Sequence, residues 1–234
     1  LSKLLEINFD TPTSEDSKLL KELTHHQQLG VKYFHDIESK IPFQEIQKIE
    51  EYLKKIIKSL SEDLDIVICG SYRRKKPTSG DIDIIVYSEK LKTIERTKSS
   101  EHLTTFLQFL ADNNFLVDNL TSFDNPTKYM GFCKLDGISP FSRRIDIRLI
   151  PYNSLPAAML YFTGSGDFNK NMRTYALTKD YTINEYGIFK LRKDSKTGKK
   201  VKGLKMKTMT EEDIFKVLDL DYVEPENRLP TYKF

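Results

Sequence analysis

Two short segments confine the fold of this chain more than anything else in it. "DIDIIVY", residues 81–87, and "RRIDIRLIP", residues 143–151, alternate polar and apolar residues. A β-strand sends successive side chains to opposite faces. Asp81 and Asp83 therefore share one face of the first strand, with Ile82 and Ile84 on the other. In the second, Arg144, Asp146 and Arg148 share a face, and Ile145, Ile147 and Leu149 are left for a core. Both strands thus belong to sheets with one dry face and one charged face.

The rest of the chain supplies cover for that dry face. "DIVICG", residues 65–70, reads as a short buried strand ending in glycine, and "KYMGFCKL", residues 128–135, as another strand. From Phe43 to Leu60, Ile46, Ile49, Leu53, Ile56, Ile57 and Leu60 recur at helical spacing, with Pro42 at the start, where proline is tolerated. His26–Ile37, a short piece at Leu19–Leu23, and His102–Asn113 also read as helical. Pro151 and Pro156 mark a boundary. Beyond it the pattern predicts helices over Leu155–Tyr161 and Phe168–Lys179, a strand at Tyr181–Asn184, a hairpin turning at "DSKTG", and a last helix at Glu211–Leu218. Helices and short strands without regular βαβ alternation predict an α+β fold.

Hydrophobic residues make up 38% of the 234, enough for a packed core rather than a disordered chain. Two cysteines make no disulfide framework, and no Cys/His cluster has zinc spacing; a reducing intracellular compartment is expected. The longest apolar run, Leu155 to Phe162, is too short to span a bilayer, so no membrane association is expected. The chain begins at Leu1, as a fragment or a processed product would. Charge is uneven. Residues 1–65 hold nine Lys/Arg against thirteen Asp/Glu, a net of −4, and residues 66–234 hold 28 against 21, a net of +7. A polyanion is expected on the basic part.

The chemistry concentrates in "ICGSYRRKKPTSGDIDIIV", residues 68–86. Gly70 lets a ligand approach the backbone, and Ser71 offers a hydroxyl and an N–H. Arg73, Arg74, Lys75 and Lys76 follow, and Gly80 exposes a further amide beside Asp81. Two carboxylates on one strand face repel unless a cation lies between them. An Asp-x-Asp is also what the exposed face of an edge strand looks like; for Asp146 the other reading, a surface pair with its flanking arginines, loses ground because that strand's apolar face is already committed to the core. If the strands of Asp83 and Asp146 are neighbours, three carboxylates converge, a set able to hold two Mg²⁺ ions for phosphoryl or nucleotidyl transfer.

"GSYRRKKPTSGDIDIIV" resembles the Gly-Ser…Asp-x-Asp signature of the nucleotidyltransferase superfamily. With "HHQQLGVKYFHDIESKIP", "RRIDIRLIP", "LYFTGSGDFNKNMR", "YTINEYGI" and "YVEPENR" in order, the chain from about Lys18 onward resembles the family X DNA polymerases typified by DNA polymerase beta. The resemblance implies a nucleotidyltransferase palm sheet flanked by helices over residues 42–152. A partial helical duplex-binding subdomain would precede it over 1–41, and a small α+β nucleotide-selecting, template-contacting subdomain would follow over 153–234. It implies that Asp81 and Asp83 bridge both metals and that Asp146 binds the metal near the primer 3′-hydroxyl. The ions would be Mg²⁺, with Mn²⁺ an alternative. Gly70, Ser71, Arg74 and Gly80 would meet the triphosphate, with Lys40 near the same phosphates. Tyr161, Phe162 and Gly164 would lie beside the nucleotide sugar, and Asn169 at the base. Lys170 and Arg173 would contact the template. Arg144, Arg148 and Glu185 would change partners as the last subdomain closes, Arg144 also facing DNA.

The implied partners are dNTPs and primer-template or gapped DNA, the implied role short-gap filling in repair, base excision repair included. A monomer is expected, nuclear in a eukaryotic cell. The family's amino-terminal lyase domain, with its Schiff-base lysine, is expected to be absent from this stretch. Gly166 and Asp167 depart from the family pattern after "YFTGS". Terminal transferases, the template-independent relatives, have Gly-Trp where this chain has Tyr161-Phe162, and a long loop where Asp136–Ser142 is short; both features favour templated synthesis. A catalytically silent module that holds DNA ends is the other alternative, and it expects a lost carboxylate. Nine basic residues against one acidic in Lys190–Lys207 suit either a phosphate-tracking surface or a solvated hairpin. His25 and His26 read as structural, Cys69 as a buried strand residue, and Arg73, Lys75 and Lys76 as general electrostatics.

Overall fold

The computed structural model describes residues 2–234. Four short helices lead: α1 (Ser2–Leu5), α2 (Ser14–Lys21), α3 (His25–Lys32) and α4 (Phe34–Glu38). Then come β1 (Ile41–Pro42), α5 (Phe43–Leu60), β2 (Asp65–Ile68), α6 (Gly70–Arg73), β3 (Thr78–Ser79), β4 (Ile82–Tyr87), α7 (Ile94–Lys98), α8 (His102–Asp112), β5 (Leu116–Asn119), β6 (Lys128–Cys133) and β7 (Arg143–Leu149). The remainder is α9 (Leu155–Thr163), α10 (Gly166–Thr178), β8 (Tyr181–Asn184), β9 (Gly187–Lys193), β10 (Lys200–Lys205) and α11 (Glu211–Val217).

The main sheet runs β2-β4-β7-β6-β5. Only β4 and β7 pair in parallel, and the register sets Asp83 opposite Asp146. Burial along β7 alternates strictly, with Ile145, Ile147 and Leu149 under the sheet and Arg144, Asp146 and Arg148 half-covered above it. Ile46, Ile49, Leu53 and Ile57 of α5 pack beneath with Leu103, Phe106, Leu107 and Leu110 of α8, all fully buried. At about 25 cal/mol per Å² of apolar surface, such helix stripes are the main force holding the sheet. Arg143 falls on this dry face yet is buried, because both its Nε and Nη2 donate to Glu45 of α5, at 2.8 and 2.7 Å.

A second core is assembled by α9, α10, α11 and the β10-β9-β8 sheet, around Leu160, Phe168, Met172, Ile188, Ile214 and Phe215. α9 joins the two units. Its Ala158 and Phe162 lie with Cys69, Ile85 and Ile150 on the upper face of the main sheet. α3 closes the far edge: the ring Nε2 atoms of His25 and His26 meet the backbone carbonyls of Asn119 and Leu120 at 2.8 and 2.6 Å. Asp118 accepts from Lys32 and Tyr33 beside them, each at 2.6 Å.

The α+β expectation holds, and α5 and β8 have the predicted bounds. Three segments differ. α2 starts at Ser14, ahead of the expected piece, because Thr13 and Asp16 form a reciprocal capping box. The expected helix at His26–Ile37 is two helices broken at Tyr33, whose φ of −103° leaves the helical region while its ring stacks on Phe132 at 4.1 Å. β5 and α7 were not expected; β5 has one buried apolar residue in four and no alternation to betray it.

Candidate active site

β2 ends against α6, and the turn between them brings backbone to carboxylate. Gly70 has φ of +58°, a region that costs other residues roughly 1–2 kcal/mol. Its α-carbon also faces Asp83 so closely that a β-carbon there would collide with the Asp83 carboxylate. Ser71 follows in α6, and its hydroxyl accepts from Arg74 Nη2 at 3.0 Å. The β1–β3 pair, Ile41 against Ser79, sets Lys40 beside Gly80; a β-carbon on Gly80 would lie 3.7 Å from Lys40 Nζ. Gly70, Ser71, Gly80, Lys40, Asp81, Asp83 and Asp146 are thus gathered at one end of β4 and β7.

The carboxylates crowd one another. Burial, then the charges of Asp81 and Asp146, push the Asp83 carboxyl up to about 7. Burial and then Asp146 push Asp81 upward too, although it is the more open of the two. Asp146 is engaged elsewhere: its Oδ1 accepts from Arg144 Nη2 at 2.7 Å, while Arg144 Nη1 donates to the carbonyl of Gly131 at 2.8 Å. Among the described residues no three Asp, Glu, His or Cys side chains close into a metal-binding group, and Asp146 is paired with Arg144. The donor set nevertheless fits a hard divalent cation. All its atoms are carboxylate oxygens, and their repulsion is what a cation between them would relieve.

Arg74, expected at phosphates, reaches across the interdomain junction: its Nη1 donates to the carbonyl of Thr163 at the end of α9, and burial pushes its pKa down. A β-carbon on Gly164 would come within 3.0 Å of that guanidinium. The Gly164–Ser165 peptide is cis. Tyr161 and Phe162 meet edge to face, ring centres 5.0 Å apart, and Asn169 Nδ2 donates to the Tyr161 carbonyl at 2.6 Å. Lys170 and Arg173 stand exposed on α10, along a cavity they share with Tyr161, Gly166 and Asn169. Arg148 lies over Phe162 at 5.6 Å with its Nε buried and without a hydrogen-bond partner. Glu185, in the turn between β8 and β9, has no ion pair among the described residues and is not brought to the carboxylates.

Arg73 corrects an expectation. It is no general electrostatic residue: it donates to Thr163 Oγ1 at 2.6 Å and forms a two-pronged pair with Glu211 at the start of α11. Glu211 in turn accepts from Arg228 at 2.8 Å, and all of Arg228 is buried. "TMTEED" reads only as a helix start, so nothing local in the sequence marks Glu211 as buried. Lys75, by contrast, makes an exposed pair with Glu226. Cys69 is buried as expected, and burial pushes its thiol up to about 12, leaving it inert at neutral pH.

Comparison with known proteins agrees with this geometry. The family model described as DNA polymerase beta palm matches residues 40–152, and that described as DNA polymerase beta thumb matches 158–229. DNA polymerase lambda of Rattus norvegicus is 35% identical over 219 residues, covering 92% of this chain and 37% of the relative. DNA polymerase lambda of Arabidopsis thaliana is 33% identical over 225 residues, 92% of this chain and 41% of the relative. DNA nucleotidylexotransferase of Xenopus laevis is 28% identical over 246 residues, 92% of this chain and 47% of the relative. The chain thus spans less than half the length of each of these relatives. With palm and thumb models matching in succession over most of its length, around a sheet that sets Asp83 against Asp146, the chain belongs to the DNA polymerase beta-like, family X, group of nucleotidyltransferases.

Proposed function

We propose that the chain is the core of a template-directed DNA polymerase that adds dNMP from a dNTP to a primer 3′-hydroxyl and fills short gaps in DNA repair. The observation that carries this reading is Asp83 facing Asp146 on adjacent parallel strands, with the backbone of Gly70 packed against the Asp83 carboxylate. Asp81, Asp83 and Asp146 would hold two divalent ions, Mg²⁺ or Mn²⁺. When bound, such ions lower the pKa of the attacking hydroxyl and neutralise the departing pyrophosphate. The chain's own residues do the rest. Arg144 releases Asp146 to complete the carboxylate set and turns toward DNA. Lys40, Gly70, Ser71, Arg74 and Gly80 take the triphosphate. Tyr161, Phe162 and Gly164 lie along the sugar, Asn169 at the base, and Lys170 and Arg173 on the template. Arg148 and Glu185 exchange partners on closure.

In this reading residues 1–41 bind duplex, 42–152 form the palm, and 153–234 select the nucleotide. The protein would act as a monomer on gapped DNA in the nucleus. No helix of the described residues is long and apolar enough to cross a membrane. The test is extension of gapped and of single-stranded primers with each dNTP and rNTP in Mg²⁺. Templated filling of short gaps, lost by at least a thousandfold in Asp146→Ala, is the expected result. Untemplated tailing would move the chain to the nucleotidylexotransferase reading, and an Asp146→Ala variant as fast as the parent would remove the metal assignment.

A further inference from the structure

A cavity of about 750 Å³ opens between α9 and the connection from β10 to α11, walled by Leu155, Pro156 and Met159 on one side and by Met206, Met209 and Tyr222 on the other. Asp81, Asp83 and Asp146 take no part in its walls. The volume is that of a small-molecule site, within the range of about 300–1,000 Å³ in which a ligand buries most of its surface. Its charge is one-sided. Lys92, Lys205 and Lys207 line it, and none makes an ion pair among the described residues. Of the two carboxylates in the wall, Glu211 is held by Arg73 and Arg228, and Glu212 keeps its charge at the solvent-facing side, so the lysines outnumber the free carboxylate three to one.

Lys205 is the organising residue. It leaves β10, reaches the segment just before α9 and donates to the carbonyl of Asn153 at 2.9 Å and to Ser154 Oγ at 3.2 Å. No carboxylate pairs with it among the described residues, and burial, then Lys202, pushes its pKa down. Met209, also in the lining, is exposed.

We propose that this cavity binds an amphipathic organic monoanion, its acid group meeting Lys205 with Lys92 and Lys207, and its apolar body lying on Met159 and Met206. A lysine cluster selects negative charge, and flexible methionines adapt to an irregular hydrocarbon.

The probe is decanoate below its micellar concentration, titrated into the whole chain carrying ¹³C-methyl methionine. Met159, Met206 and Met209 should shift saturably while Met130 and Met172, which lie outside the cavity, stay fixed. Affinity should fall at least tenfold for butyrate, which keeps the acid and lacks the body, and at least tenfold in Lys205→Met. Should Lys205→Met fold poorly, Lys92→Gln/Lys207→Gln, both at exposed positions, should show the same weakening. Shifts that do not saturate, equal binding of butyrate, equal binding of decyltrimethylammonium, or full affinity in the lysine variants would each overturn the proposal.

Discussion

Gly70 is where backbone and catalytic chemistry meet. Its φ of +58° and its contact with Asp83 are two separate demands for the absence of a side chain. Gly70→Ala must pay roughly 1–2 kcal/mol for the left-handed conformation before any displacement of Asp83 is counted. Denaturant unfolding should show at least that loss, and primer extension should fall further than stability alone explains. A variant that extends primers at the parental rate would mean that Asp83 needs no such close backbone. Asp83 itself carries a pH signature. Its folded pKa, near 7, lies above that of an unfolded aspartate, so the folded state holds the proton more tightly. The stability this adds is complete below the unfolded value, about 4, and is lost as pH rises through 7. In metal-free protein, Asp83→Asn should therefore be more stable than the parent above pH 7, by on the order of a few kcal/mol, with the gap closing toward pH 4. Melting curves from pH 4 to 8 in EDTA check this; an advantage that does not change with pH would place the cause outside Asp83 titration. Excess Mg²⁺ should narrow the gap at pH 8 by stabilising only the parent.

Elements show why some of this was legible in the sequence. α5 announces itself because its buried Ile46, Ile49, Leu53 and Ile57 recur at the helical period over five turns. β4 and β7 do so because alternation places Asp83 and Asp146 opposite a committed apolar face. That the two strands pair in parallel is a tertiary fact with no local signal. Short elements were lost for the same reason: β5 and α7 are too brief to display a period. α10 shows a further limit. It begins at Gly166, capped by Ser165, whose Oγ accepts from the N–H of Phe168 at 3.4 Å. A β-carbon on Gly166 would meet nothing within 4 Å. This glycine is required by neither φ nor space, so Gly166→Ala should stabilise the protein by up to about 1 kcal/mol through the entropy of the unfolded chain. A midpoint that shifts to lower denaturant would show that the cavity beside Tyr161 and Asn169 tolerates no added methyl group.

At the scale of the whole molecule, the two largest hydrophobic cores are held in register by α9 and by the Arg73–Glu211–Arg228 network, beside the exposed Lys75–Glu226 pair. Arg73 comes from the helix beside the carboxylates, Glu211 from the start of α11, and Arg228 from the segment after it. Glu211 is 6% exposed and serves both arginines. Removing it leaves the buried Arg228 and the half-buried Arg73 without a counter-charge, a defect worth roughly 3–5 kcal/mol, far more than the net gain the intact network makes. Glu211→Ala should therefore unfold in two steps, the unit around Phe168 and Phe215 melting before the α5–α8 sheet, because Arg228 is left unpaired within that unit, against Phe168 and Phe215, and the link from Arg73 to it is lost. Near-UV circular dichroism, reporting on both cores, and tryptophan fluorescence from a Phe215→Trp probe, reporting on one, would separate the steps. The apolar replacement Arg73→Met/Glu211→Leu/Arg228→Met removes the buried charges together and should recover most of the stability. Primer extension by that triple variant then isolates what the ions do for function. A stable triple variant with slowed nucleotide addition would mean that the cross-link sets how the two units meet around the nucleotide; one that is both stable and fast would confine Arg73, Glu211 and Arg228 to holding the fold.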